Sequence, residues 1–236
     1  MRFRRHLAVL VSLACFAGTY AEAALPIPVL GCGQVVPAGQ TGVLGTNLTC
    51  PWVNGSIILE KGATLQLDGH SVGGAEYSVL CKGSCRVEGP GTISGSAVGV
   101  DGGAGLLRVS DVTFRTLNHG ILGKERSAIV ERSTFDAVNI GIAQVQTLRV
   151  SDSEFSPFFH SILAKRVVAE SIVVTGGLTG IHAGSVTLIN SSLDTTGDGE
   201  GETDLRTSRR PRLIGSTCAG QSISYGGETW GVCSLD

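Results

Sequence analysis

Aromatic residues make up only 5% of this 236-residue chain and charged residues 16%, with a single Met and seven Pro. So few charges, without enrichment in Ala, Glu, Lys and Leu, exclude a coiled coil or long-helix protein. The few prolines and the lack of a Gly-X-Y period exclude collagen. A formal net charge of −2 with 42% hydrophobic residues excludes a disordered chain. Beyond the N-terminus no stretch reaches 18 apolar residues, so no later segment reads as a membrane span. No C-x-x-C pair occurs, which removes the usual spacing of zinc and thioredoxin-like sites. Glycine, by contrast, is abundant: 34 residues, about twice its usual share of ~7%. Because glycine is costly inside helices, the composition points to a β-rich domain or an array of small repeats.

The first 23 residues read as a signal peptide. Arg2, Arg4 and Arg5 form a positive start, Leu7 to Gly18 an apolar stretch, and Ala21-Glu22-Ala23 a small-residue cleavage site. A lipid anchor through Cys15 is the alternative, but Ser12 stands where such signals carry Leu. Without the signal the chain keeps 15 basic and 19 acidic residues, a balance with no bulk attraction for nucleic acid. Six cysteines remain, namely Cys32, Cys50, Cys81, Cys85, Cys218 and Cys233, an even number suited to an oxidising compartment. The reading is therefore of a secreted, periplasmic or cell-surface protein, a monomer, with no membrane span once the signal is removed.

An internal period sets the fold. One apolar column reads Cys50, Val72, Ile93, Phe114, Phe135, Phe155, Val174 and Leu193, in steps of 19 to 22 residues. Seven residues later runs a second, Ile57, Val79, Val100, Ile121, Ile142, Ile162 and Ile181, each preceded by Gly or Ser. A third, five residues before the first, holds Leu67, Val109, Val130, Val150, Ala169 and Leu188. A period near 20, rich in β-branched residues and Gly, is too short for paired helices. It predicts an all-β, single-stranded right-handed parallel β-helix of about eight coils, with each column stacked as an internal ladder at ~4.8 Å per turn. The Gly or Ser before the second column suits a tight corner. A leucine-rich repeat has a similar period but needs L-x-x-L-x-L and an Asn ladder; Asn118 and Asn139 supply only two steps. The predicted divisions are a cap over 24–49, coils over 50–196, an acidic/basic loop insertion over 197–212, and a final coil with a disulfide cap over 213–236.

The segments Gly31-Cys32-Gly33-Gln34, Asn47-Leu48-Thr49-Cys50 and Gly62 to His70 (GATLQLDGH), followed by Gly-Ile coils, carry a resemblance. Over roughly residues 31–195 the chain resembles the secreted right-handed β-helix repeat proteins of the pectin-lyase-like superfamily. The resemblance implies the fold, and assigns His70 a structural place in the early coils. It does not choose an activity, because that superfamily includes polysaccharide lyases, hydrolases, epimerases and adhesins.

A rod limits the disulfides, since cysteines at opposite ends cannot approach within the ~4.4–6.8 Å that a bridge allows between Cα atoms. The local pairs Cys32–Cys50, Cys81–Cys85 and Cys218–Cys233 follow. Stacking also brings Asp111, Arg132 and Asp152 onto successive coils, and Arg115 beside Asp136, as ion-pair ladders or as a polar groove for a sugar chain. For catalysis on a uronate the candidates are Arg115, His119 and His160, a cation and two bases, with the histidines two coils and roughly 10 Å apart. Asp136 is a candidate for binding a sugar chain in that groove, and Arg209, Arg210 and Arg212 are candidates for binding an anionic glycan. No cofactor is required, although Asp198, Glu200, Glu202 and Asp204 alternate as oxygen ligands would for Ca²⁺. The functional expectation is a polysaccharide-binding lateral face without a clear catalytic apparatus. A uronate lyase or epimerase and a structural or adhesive module are the alternatives.

Overall fold

The computed structural model describes residues 25–51, 55–195, 203–219 and 221–232. The signal segment with Cys15, the acidic residues Asp198, Glu200 and Glu202, and Cys233 lie outside them. The described residues form strands and no helix, stacked in parallel as a β-solenoid of about eight turns.

Each turn has three faces. Face A runs from Gln34–Val36 through Tyr77–Cys81 and Val98–Asp101 to Thr203–Thr207 and Gln221–Ser224. Face B begins at Ile27–Val29 and Thr41–Leu44 and ends at Arg212–Ile214. Face C includes Ser71–Gly73, Thr134–Asp136, Glu154–Ser156 and Thr217–Cys218. In the middle turns one long strand, such as His119–Glu131 or His160–Glu170, bends through a corner and serves both A and B.

The second apolar column holds at every step on face A, from Ile57 paired with Val79 through to Ile162 paired with Ile181, and Leu205 extends it. The other two columns are corrected at their first members. Val72 pairs with Leu48 rather than Cys50, while Cys50 is bonded to Cys32 with Cα atoms 5.7 Å apart. On face B the early members are Leu65 and Val87, not Leu67. From Ile93 onward face C follows the expected order and continues from Leu193 to Cys218. All three columns are buried, and they merge into one core. At its centre Phe114, Phe135 and Phe155 stack with centroids 4.6 Å apart and planes within 6°.

That phenyl stack, rather than a corner conformation, explains the glycines before the second column in the middle turns. Gly99, Gly120 and Gly141 are strand residues without positive φ. A Cβ on Gly120 would lie 2.6 Å from the Gly141 carbonyl oxygen and 2.7 Å from Cδ1 of Phe135. The left-handed corners fall elsewhere. Between faces B and C, Asp111, Arg132, Asp152, Ser171 and Asn190 have φ of +46° to +60°. Next to several of them a buried serine stitches the turns together. Ser133 Oγ donates to Glu131 O (2.9 Å), Ser153 Oγ donates to Ser151 O (2.7 Å), and Ser153 Oγ accepts from Ser133 N (3.1 Å). These bonds satisfy backbone groups that the sharp bend takes out of the ladder.

Both ends differ from the predicted divisions. Strands within 24–49 already stack on the solenoid, Gln34–Val36 against Ile57–Leu59 and Thr41–Leu44 against Thr64–Gln66. Within 197–212, Thr203–Thr207 re-enters face A in register with Thr179–Ile189. The last strand, Thr229–Val232, turns back antiparallel on Gln221–Ser224, which covers a sheet edge otherwise open to pairing. Cys81–Cys85 is formed across the corner between A and B. Cys218 is also disulfide-bonded.

Candidate functional site

The solenoid separates the sequence-derived candidates. Arg115 lies on face C, held by Asp136 at 3.1 Å, so its charge is already neutralised. Arg132 grips Asp111 through two hydrogen bonds of 2.8 and 2.9 Å, which hold the Asp111 carboxyl below its ordinary pKa. Both pairs join successive turns on the surface. His119 and His160 share a column on face A and both pair with Ile140, so one turn intervenes, as expected. Burial pushes the His119 imidazole below its ordinary pKa.

Asp204 does not face outward as a calcium ligand. It is fully buried, and its Oδ1 accepts hydrogen bonds from the backbone N and Oγ1 of Thr195 at 2.9 and 2.8 Å. Among the described residues no group of three or more His, Cys, Asp or Glu is placed to hold a metal ion. Arg209 and Arg210 are exposed just after the face A strand Thr203–Thr207, and Arg212 begins a face B strand.

Around His160 the chain assembles a second group that the sequence reading did not join. On the next turn Leu163 pairs with His182, and His182 with Arg206. The Tyr225 ring meets His182 edge-on, centroids 5.0 Å apart. Burial, and then the Arg206 guanidinium, push His160 and His182 below the ordinary imidazole pKa. Burial raises the Tyr225 phenol while Arg206 draws it the other way. Electrostatics thus tie Arg206 to all three rings. His160 Nδ1 is buried and has no hydrogen-bond partner, although buried polar atoms normally find one. At the corner leading into this strand Phe158 and Phe159 are 62% and 47% exposed, large apolar rings left in water.

The arrangement offers two imidazoles with lowered pKa, a cation, a phenol and exposed rings along one outer face. A signal for part of it stood in the repeat: the position after the second column reads Leu122, Ala143, Leu163, His182 and Arg206, so it changes from apolar to basic at His182 and Arg206 before Ile223 follows on the next turn. Tyr225 follows the last full turn, where the period offers no guide.

The described residues contain no helix long and apolar enough to cross a membrane. Comparison with protein-family models, curated proteins and solved structures finds no match.

Proposed function

We propose that this is an exported β-solenoid of the pectin-lyase-like kind that engages extracellular or cell-wall polysaccharide along the C-terminal half of face A. The observation that carries the reading is the run of Phe159, His160, His182, Arg206 and Tyr225 on adjacent turns. Rings that are apolar on their faces and polar at their edges suit the alternating CH and OH surfaces of a sugar, and the guanidinium suits a carboxylate. A repeat fold presents such groups as an extended strip, the shape a chain ligand needs. Export is supported by the disulfides, which persist in oxidising compartments.

The test is a glycan array followed by calorimetric titration of the protein and of Arg206→Ala and Tyr225→Ala. Binding to a cell-wall glycan that falls about tenfold, roughly 1.4 kcal/mol, in either variant supports the reading. No binding to any glycan, or unchanged affinity in both variants, overturns it.

The imidazoles with lowered pKa beside Arg206 favour a second reading, a lyase or epimerase acting on uronate polymers. In elimination a neutral His160 or His182 takes the proton beside the carboxylate while Arg206 stabilises the charge that develops there. The electron pair then forms the carbon–carbon double bond as the glycosidic C–O bond breaks, and the departing sugar oxygen takes up a proton from water. Ultraviolet absorbance of unsaturated products from pectate or alginate, with and without Ca²⁺, reads the lyase reaction. A flat trace with both polymers removes it and leaves binding in place.

A further inference from the structure

We infer that the corner between faces A and B holds a subsite for the anionic group of an acidic oligosaccharide, an extension that rests on the glycan-binding reading. Val145, Ala164, Ala183 and Thr207 pair in succession at this corner, so their neighbours line a cleft crossing four turns. It has two adjoining chambers. One, about 370 Å³, is floored by Val145, Leu163 and Ala164. The other, about 280 Å³, is lined by Lys165, Arg166, Arg209 and the hydroxyl-bearing Thr147, Ser185 and Ser208. Gln146 and Lys165 belong to both.

Among the described residues no carboxylate lines either chamber. Lys165, Arg166 and Arg209 are exposed, and none forms an ion pair among the described residues, unlike Arg115 and Arg132 on the earlier turns. The floor is built for close approach. A Cβ on Gly184 would lie 2.7 Å from the Lys165 carbonyl oxygen, and Ser208 Oγ donates to the Gly184 carbonyl at 2.7 Å, tying the last turn to the one before it.

An apolar chamber beside a cationic one matches a sugar unit whose ring face is apolar and whose substituent is charged. The ring lies on the partly exposed Leu163 and Ala164. Its carboxylate or sulfate meets Lys165, Arg166 and Arg209, where guanidinium forks give paired, charge-assisted hydrogen bonds. The shared chemistry is an oxyanion on a sugar, and uronate and sulfated oligosaccharides are its two sources. Leu163 also pairs with His182, which makes the cleft continuous with the face A strip.

The test compares three probes by calorimetry: an oligogalacturonate, a sulfated heparin oligosaccharide and a neutral galactan oligosaccharide. They are titrated into the protein, into a Lys165→Ala/Arg209→Ala double variant and into Arg206→Ala. Both altered corner side chains are exposed, so the variant keeps its fold, checked by its circular dichroism. The expected result is at least tenfold weaker binding of one or both acidic probes by the double variant, a shallower salt dependence, and unchanged binding of the neutral one. The acidic probe that loses more identifies the source of the anion. Acidic binding equal to that of the unaltered protein, or a preference of that protein for the neutral probe, overturns the subsite. Loss in the corner variant with none in Arg206→Ala keeps the subsite and removes the face A strip; the reverse keeps the strip and removes the subsite.

Discussion

The phenyl stack is the place where the fold can be tested most sharply. Replacing Phe135 with Ala removes a fully buried ring that contacts Phe114 on one side and Phe155 on the other, each at 4.6 Å. Phe→Ala changes in rigid cores cost about 3–5 kcal/mol, the larger values where the surroundings cannot collapse. Here collapse is blocked along the axis, because the ladders pairing Phe135 with Phe114 and Phe155 fix the separation of the turns. It is also blocked from the side, because Gly120 has no side chain to move into the space. The expected loss is therefore in the upper half of that range, about 4–5 kcal/mol, a large share of the roughly 5–15 kcal/mol typical of a domain. Urea unfolding measures it, with hydrogen exchange of the strands around Phe114 and Phe155 as a local readout, since solenoids do not always unfold in one step. Phe135→Leu, which keeps most of the volume, should cost less than about 1.5 kcal/mol. A loss below about 1 kcal/mol for the alanine variant, or a leucine variant as damaged as the alanine one, would refute the packing argument.

Gly120→Ala should destabilise by about 1–3 kcal/mol, although alanine is ordinarily the better strand residue, because the added methyl meets backbone as well as ring; unchanged urea unfolding would contradict it. Removing the Cys32–Cys50 bridge, with 18 residues of separation, should cost about 3 kcal/mol by loop entropy, and hydrogen exchange should rise at the N-terminal turns before the centre. His119, His160 and His182 have pKa values depressed from the ordinary 6.5. The unfolded chain therefore takes up protons first. Their contribution is fully present above pH 6.5 and is lost as pH falls from there through the folded values. Imidazole NMR titrations should show midpoints below 6.5, and a His160→Gln/His182→Gln variant should lose less stability over that window; ring titration at or above 6.5 would refute it.

The middle of the fold was legible because apolar columns repeat there at nearly constant length. The first turns were misjudged for a physical reason: Leu48 and Val72 are 24 residues apart, so counting a shorter period lands on Cys50. An error of two residues is easy to make in a strand, because it returns the side chain to the same face; the choice of Leu67 for Leu65 has the same origin. The glycines were placed correctly and explained wrongly, since which ring they pack against is a contact between turns that no single repeat displays. The buried serines at the B–C corner escaped notice because hydroxyl residues read as surface. At the candidate site, His160 was visible as a residue, but its partnership with His182, Arg206 and Tyr225 depends on the way three turns stack and on the chain folding back after the last.

The distribution of charge on the exterior bears on which part of the rod meets a ligand. Stacking at ~4.8 Å per turn makes pairing of opposite charges on adjacent turns easy, and every ion pair between two described residues lies between Glu60 and Asp136. Past that point the same geometry sets Lys165, Arg166 and Arg209 around one corner, with Arg206 on the adjoining strand, and among the described residues none of the four forms an ion pair. Crowded like charges repel, so a surface serving only register and solubility gains nothing from this arrangement; placing an acid there, as in the turns holding Asp111 and Asp136, would stabilise the rod. Raising ionic strength distinguishes the two regions without any mutation. Screening should weaken the paired N-terminal turns and relieve the crowded C-terminal ones, shifting hydrogen-exchange protection toward the C-terminal half. A uniform response along the rod would mean that the unpaired cations are too far apart to repel one another, and the case for a ligand-facing corner would lose its electrostatic basis.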